Sequence, residues 1–471
     1  TALLRECLDG AKNLQEKRIL LSALNRCSSP DALVLAEAWF HREGTEAEGA
    51  VAWGTIALAL LDTNRTEISQ AFPALFAEAQ AAGLSANALE PLYRVRKILN
   101  AEAVPGKSLR FKEICIDTAF RSEGIAIADI NRDGLQDVVV GDYWYAAPGW
   151  TAHEIRPPGT YDALTEYSRA FAVFAEDVNR DGWADVIVVG FPGAPVYWYR
   201  NPGKTEGHWQ EYLIAVEACG ETVLYEDITG DGKRELIFAM NKRITWLTPG
   251  QDVTAPWIAY PFTHQLEQFA LFGHGLGIGD VNGDGRTDVL STVCWWEGPT
   301  ETTRPDWTPY PADLGPDCAH MLVYDANNDG LMDIITSSAH DYGIWWFEQQ
   351  PSGQALPSFI RHEIDRSISA THALIQADLN NDGLADLITG KRFYAHGKED
   401  SGALEPALLC WYELQRDMQG NPSWTRHVIH EDSGVGTQFE VCDVDGDGLD
   451  DIAVSSKKGV RIFLQRRDSS S

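Results

Sequence analysis

The chain has 471 residues, 44 % of them apolar, which is enough for a sizeable core divided over two or three domains. A formal charge of −31 excludes nucleic acid as a partner, because nothing here could replace the counterions of phosphate, and it argues against an anionic membrane surface. No run of 18 apolar residues occurs, so no membrane-spanning helix is predicted.

Thr1-Ala2-Leu3-Leu4 reads as the middle of a helix, with no basic region leading into an apolar stretch. No signal peptide is therefore visible, and the chain is expected to continue a longer precursor. Residues 1–103 are helical by pattern. Leu14, Ile19, Leu20, Leu21 and Leu24 recur at helical spacing, Ser29-Pro30-Asp31 opens a helix through Phe40, and Thr45 and Thr66-Glu67 open two more. Short helices with tight polar turns look like HEAT-type hairpins, which could dock a protein partner. A plain helical bundle is the simpler alternative, since the segment gathers no chemical groups.

Pro105-Gly106-Lys107 marks a linker over residues 104–107, and from residue 108 onward the texture becomes β-rich. An acidic loop, D-x-[NDT]-x-D-G-x-x-[DE], then repeats seven times. Its copies begin at Asp129, Asp177, Asp227, Asp280, Asp325, Asp378 and Asp443, spaced by 48, 50, 53, 45, 53 and 65 residues, about the size of a four-stranded propeller blade. In each repeat a strand ends at the loop, as in Gly124-Ile125-Ala126-Ile127-Ala128-Asp129. A hydrophobic strand follows, then a strand bearing Trp144, Trp198, Trp246, Trp296, Trp346, Trp411 or Phe463, then a fourth. The last repeat stops after three strands, at Arg461-Ile462-Phe463-Leu464. The missing strand is Phe111 to Ile116 at the front, and pairing the two closes a ring of seven blades and removes an exposed sheet edge. The fold expected is mainly β, a seven-bladed propeller closed by an N-terminal strand and preceded by a small helical domain.

The loops carry oxygen donors at positions 1, 3, 5 and 9, with Gly at position 6 for the sharp turn. In chain order the donors are Asp129, Asn131, Asp133 and Asp137; Asp177, Asn179, Asp181 and Asp185; Asp227, Thr229, Asp231 and Glu235; and Asp280, Asn282, Asp284 and Asp288. The remaining copies offer Asp325, Asn327, Asp329 and Asp333; Asp378, Asn380, Asp382 and Asp386; and Asp443, Asp445, Asp447 and Asp451. Such sets suit a hard cation, Ca²⁺ first, with the ninth carboxylate closing the shell. The third copy, with Thr229 and Glu235, is expected to be weak, empty or a Mg²⁺ site. The loops hold 22 of the 69 acidic residues, so seven divalent ions would leave a net charge of about −17. Much of the acidity is ligand set, not solvated surface.

The repeats resemble the FG-GAP or VCBS family of calcium-loop propellers over residues 108–465. The resemblance implies a Ca²⁺-stabilised propeller in an extracytoplasmic setting, periplasmic or secreted. It leaves function open, since such folds serve adhesion, scaffolding and catalysis.

The loop joins strands one and two of each blade, so all seven loops share one face. Residues six or five before the first Asp are expected to ring the channel at the other face. They are Glu123, Phe171, Glu221, His274, His320, His372 and Gln438. A lone His in a β protein is usually structural, but His on three consecutive blades suits a central Zn²⁺ or Mn²⁺ held by His274, His320, His372 and Glu221 or Gln438. The turns between strands two and three add Tyr143, Trp144, Lys242, Trp295, His340, Lys391, Arg392, Tyr394 and His396 to this face.

Within the repeat family, Gly273-His274-Gly275-Leu276-Gly277, Gly390-Lys391-Arg392-Phe393 and Asp432 to Gln438 look like a bacterial secreted subgroup often joined to HEAT-like segments. The propeller of fungal aldos-2-ulose dehydratase is similar in repeat type. Oligogalacturonate lyases share the seven-bladed architecture, though not the loop, and hold a central metal with His and Gln. These likenesses imply β-elimination on an oxidised or acidic sugar. The metal would stabilise the enolate, with His340 or His396 as base and Arg392 or Lys391 holding the anion. Tyr143 or Tyr394 would be the acid, and Glu123, Trp144, Trp295 and Lys242 would contact substrate. The alternatives are a non-catalytic propeller that binds glycan or protein, and a hydrolase or isomerase using the same metal.

The eight Cys form no C-x-x-C pair. Cys115, Cys410 and Cys442 are expected to be buried thiols, and Cys294 and Cys318 to lie near each other on neighbouring blades, where a disulfide is an open option.

Overall fold

The computed structural model describes residues 2–27, 29–42, 44–82, scattered positions from 84 to 95, and 109–466 apart from 317, 319 and 352–356. The linker expected at 104–107 lies outside the described residues. Two compact units emerge, Thr1–Lys107 with Asn381–Gly383, and Ser108–Asn380 with Leu384–Ser471.

In the first unit helices span Ala2–Gly10, Leu14–Leu24, Pro30–Phe40 and Glu46–Ala81. Asn13 and Ser29 cap the second and third by accepting from Glu16 and Ala32 N–H groups. The long last helix breaks at Asn64 (φ −128°, ψ 27°), so the start expected at Thr66 follows a real interruption. Leu21, Leu35, Trp39, Phe40, Trp53 and Phe72 form the core. Gly49 lets two helices touch: a Cβ there would lie 2.5 Å from the Phe40 backbone. No helix among the described residues is long and apolar enough to cross a membrane.

The second unit is a seven-bladed propeller, with seven four-stranded antiparallel sheets of sequential strand order in six blades. The seventh combines Glu440–Cys442, Asp451–Ser456 and Gly459–Arg466 with Arg110–Asp117 from the front of the unit. Glu113 faces Phe463 and Ile114 faces Ile462, so the expected closing strand is in place. First strands line the axis, where they enclose a cavity of about 440 Å³. Second strands, such as Asp137–Val140 and Asp185–Val189, are buried along their whole length, which explains their unbroken apolar runs. On each of six blades a third-strand Trp meets the fourth-strand ring directly opposite, stacking in five, as Trp144 on His153 at 4.3 Å and Trp411 on His427 at 4.4 Å, and tilted in Trp295 on Tyr310.

The ninth loop residue has a structural task that the spacing did not reveal. Asp288 is fully buried. Its Oδ2 accepts from Val281 N–H (2.9 Å) and its Oδ1 from Gly298 N–H (2.8 Å), which ties the loop to the end of the third strand. Asp137, Asp185, Asp333, Asp386 and Asp451 make the same two bonds on their blades. Positions 1, 3 and 5 stay at the surface and wrap loop amides: Asp280 receives the N–H groups of Asp284 and Gly285. In the third copy Lys233 sits on Asp231 at 2.6 Å and Glu235 Oε2 is buried without a hydrogen bond, in keeping with an atypical loop.

Two cysteine expectations change. Cys115 is exposed, because the outermost strand of a blade turns alternate residues to solvent, and Cys442 is only half-buried. Cys294 and Cys318 are both buried and no disulfide joins them.

Replacing Asp288 by Ala strands two buried amides, so unfolding should cost about 2–6 kcal/mol less than in the parent, from about 1–3 kcal/mol per unsatisfied group. Asp288→Asn, which keeps one acceptor, should lose roughly half of that. Denaturant unfolding of both variants in the same chelator measures the difference, and equal losses for Ala and Asn would contradict the two-bond role.

Candidate metal and acid–base centre

Pleat parity sorts the expected ring. Glu123, Phe171, Glu221, His274 and His372 stand six residues before their loops, whereas His320 and Gln438 stand five before theirs. Successive side chains of an extended chain point to opposite sides. Accordingly, the first group converges and the second does not. Gln438 spends its amide on the backbone, accepting from Ile125 N–H (2.8 Å) and donating to Ile125 O (2.7 Å). His320 borders the axial cavity instead, where burial pushes its imidazole down to about 4. Neither stands among the clustered imidazoles, which corrects the expected ligand ring.

The missing places are taken by turns between second and third strands. His340 comes from blade five, after Asp333–Ser337. His396 and Asp400 come from the long connection of blade six, between Asp386–Gly390 and Leu409–Arg416. His340 Nε2 lies 3.0 Å from His274 Nε2. Glu221 faces three imidazole nitrogens: His372 Nε2 at 3.5 Å and His274 Nε2 at 4.0 Å from Oε2, and His396 Nε2 at 3.8 Å from Oε1. Three imidazoles therefore turn Nε2 toward one carboxylate, and the fourth, His340, turns its Nε2 toward His274. Ligand atoms of His274, His340 and His372 all lie within 4.8 Å of one another, as do those of His340, His396 and Asp400.

Beneath this cluster Arg392 is sealed from solvent. Its Nη1 donates to Glu221 Oε2 (2.6 Å), its Nε to Glu123 Oε2 (3.3 Å), and its guanidinium lies 5.2 Å from the Phe171 ring centre. Burial raises the cost of charging Glu221, but Arg392 and the His372 and His396 rings outweigh it and hold the carboxyl well below its usual range. Burial, with the Arg392 charge, drives His372 down to about 3. Hydrogen bonding to Asp400 and Glu221 lifts His396 to about 9.

Other expected site residues lie elsewhere. Lys391 is buried, with Nζ donating to Ser369 Oγ (2.7 Å) and Gly402 O, so it anchors the blade-six connection and is not exposed to hold an anion. Trp295 is blade core, packed at a tilt against Tyr310. Trp144 stacks on His153 beside a groove lined by Asn201, Lys204 and Trp209. Tyr143 lies under the Arg121 guanidinium (4.7 Å), Lys242 pairs with Glu267 (2.7 Å), and the Tyr394 carbonyl accepts from Lys457 Nζ (3.1 Å). Asp400 went unrecognised. A carboxylate four residues after His396 in a Gly-containing stretch was its one signal, and such spacing means little outside a known turn. Phe171 of the expected ring belongs to an aromatic wall. Phe171, Tyr167, Phe191 and Phe272 follow one another with ring centres 5.2–6.1 Å apart.

Residues 325–389 match the family model of FG-GAP-like repeats. No curated protein sequence matches the chain. Solved structures similar to the chain include an Agrocybe aegerita lectin that recognises non-reducing terminal N-acetylglucosamine, at 15 % identity over 77 % of this chain and 87 % of the lectin, with a TM-score of 0.40. They also include BBS1N from its complex with ARL6DN, at 10 % identity over 77 % and 98 %, TM-score 0.44. A third is rhamnogalacturonan lyase YesW, at 12 % identity over 77 % and 74 %, TM-score 0.38. At these identities none of them bears on activity.

Two outcomes are expected here. Arg392→Met should destabilise the propeller by about 3–5 kcal/mol, because it strands buried charge, and adding Glu221→Gln with Glu123→Gln should recover most of the loss in thermal melts. The second concerns pH. Unfolded His takes up a proton near 6.5, whereas half-buried His320 resists until about 4, so the unfolded state binds more protons between those values and stability falls as pH drops through that window. The melting temperature of His320→Asn should therefore fall less steeply from pH 6.5 to 4 than that of the parent.

Proposed function

We propose that this seven-bladed propeller of FG-GAP-like repeats is a metal-dependent carbohydrate lyase or dehydratase, acting by β-elimination on an oxidised or acidic sugar. The observation that carries the reading is the convergence of three Nε2 atoms on Glu221, with His340 against His274, so that the His274, His340 and His372 imidazoles are spaced to share one ion. Imidazole and carboxylate donors fit Zn²⁺ or Mn²⁺. His274, His340 and His372 would hold the ion, with Glu221 beside them.

A bound metal supplies a Lewis acid able to stabilise the enolate of a carbonyl or carboxylate substrate. The chain's own residues handle protons and position. In β-elimination the carbon next to the carbonyl loses a proton, a C=C bond forms, the β-carbon–oxygen bond breaks, and the leaving oxygen gains a proton. His396 is the proton-transfer residue: Asp400 occupies Nδ1 at 2.9 Å, so Nε2 takes or gives the proton. Arg392 fixes the charge and direction of Glu221.

A carbohydrate is supported by the wall beside the cluster. Phe272, two residues before His274, is 41 % exposed and held at φ 66°, a left-handed backbone that strains a bulky residue. Its ring meets Phe191 at 5.5 Å, and Tyr167 Oη bonds Ala395 O beside His396. An apolar ring surface next to oxygen-seeking groups suits a pyranose, which has an apolar face and a polar edge.

The loops belong to the same reading as Ca²⁺ sites that stiffen the ring, with carboxylate, amide and hydroxyl oxygens as donors. In the last copy Asp443, Asp445 and Asp451 bring oxygens within 4.8 Å of one another. Burial, followed by neighbouring loop carboxylates, pushes Asp451 up to about 7, a cost that a cation would offset. An extracytoplasmic setting, where Ca²⁺ is abundant, follows from this. The aromatic wall also suits a second reading, a propeller that binds glycan without chemistry.

Elemental analysis separates the two. The parent should carry one transition metal per chain besides calcium, and His274→Ala with His372→Ala should remove it while calcium content and folding persist. Formation of unsaturated sugar from a uronate oligosaccharide should disappear with it. If calcium alone is found and the double variant still binds sugar, the lyase reading is wrong and the binding one stands.

A further inference from the structure

We propose that Asp400 is the positioning residue of the centre: one carboxylate orients two imidazoles, His340 and His396, and so presents both Nε2 atoms inward. The proposal rests on reading the cluster as a metal centre. Asp400 Oδ2 lies 2.9 Å from His396 Nδ1 and Oδ1 lies 3.3 Å from His340 Nδ1. An ionised carboxylate only accepts, so each Nδ1 must carry the hydrogen. In a neutral ring that leaves the lone pair on Nε2, the atom that faces His274 from His340 and Glu221 from His396. Without Asp400 either ring could turn or adopt the other tautomer, and an Nε2–H cannot ligate a metal.

The surrounding chain fixes Asp400 rather than the imidazoles. Ser401 N–H donates to His340 O (3.2 Å), bringing the blade-six connection onto the blade-five turn. Lys391, from the base of the connection, grips Gly402 O and Ser369 Oγ. Tyr342 Oη donates to Glu405 Oε1 (2.6 Å) on the far side. The carboxylate is thus held between two anchor points while the rings hang from it. Metal-ligating His gain their orientation in this way from a second carboxylate, and losing it costs about 10–100-fold in metal affinity.

The test uses the full chain, stripped by chelator and reloaded with calcium. Zn²⁺ titration calorimetry compares the parent with the isosteric Asp400→Asn, and a calcium-loaded melt checks folding. Affinity should fall about 10–100-fold with the melt unchanged. In parallel, NMR of histidine-selectively ¹⁵N-labelled, zinc-free protein at pH 10, above the value of about 9 at which His396 gives up its second proton, reads the tautomers, with signals assigned through His340→Gln and His396→Gln. Hydrogen should reside on Nδ1 of both rings in the parent and shift toward Nε2 in Asp400→Asn. Parent rings with Nε2–H, or a variant that binds Zn²⁺ within about twofold of the parent, would overturn the proposal. A parent that binds no Zn²⁺ yet shows both Nδ1–H signals, lost in the variant, would instead uphold the orienting role and sink the metal reading. The parent spectrum alone decides the orientation should Asp400→Asn fail to fold.

Discussion

In six blades a buried carboxylate accepts two backbone N–H groups, one from the loop that precedes it and one from the end of the third strand. That bond pair joins three consecutive parts of a blade at one point. It fixes where the loop stands, and by fixing the loop it fixes which end of the axis receives the turns between strands two and three. Burying a carboxylate is unfavourable unless its oxygens are satisfied, and here the satisfaction comes from amides that would otherwise be stranded themselves. The same residue type can thus serve the blade from within while the surface positions of the loop remain oxygen donors. The acidity of the chain divides between these two tasks.

The opposite end of the axis uses charge in another way. Arg392 spans Glu221 and Glu123, which come from blades three and one, while itself coming from blade six. A buried guanidinium between two carboxylates is a poor source of net stability, since desolvation consumes much of the attraction. Its value lies in direction. It holds Glu221 ionised and aimed at the imidazoles, so that three rings from blades four and six meet a fixed negative charge, with His340 of blade five set against His274. Asp400 repeats the device on the outer side of His340 and His396. The cluster is held between two carboxylates, one answering to Arg392 and the other to the connection anchored by Lys391.

How much of this could be read in the residues depends on the reach of each interaction. The repeat is local: a spacing of short oxygen side chains and one Gly shows the loop, and seven copies show the blades. The strand missing from the last repeat and present at Phe111–Ile116 even shows the closure. The site is not local. His274 and His372 were legible because they occupy the same offset from their loops. His320 and Gln438 were misplaced by one residue, enough in a pleated strand to turn a side chain to the other side. His340 and His396 were visible only as members of a turn face, and Asp400 not at all, since irregular connections have no period from which direction can be read.

By itself, then, the sequence determined the repeat, the number of blades, the strand that completes the ring and the face away from the acidic loops, because each follows from spacing along the chain and from the need to leave no sheet edge unpaired. Only the tertiary structure decided which histidines meet, that Lys391 is an anchor, that the ninth loop carboxylate bonds amides, and that Asp400 stands behind two rings. Those are relations between residues on different blades, and nothing in the spacing within one blade encodes the distance to another.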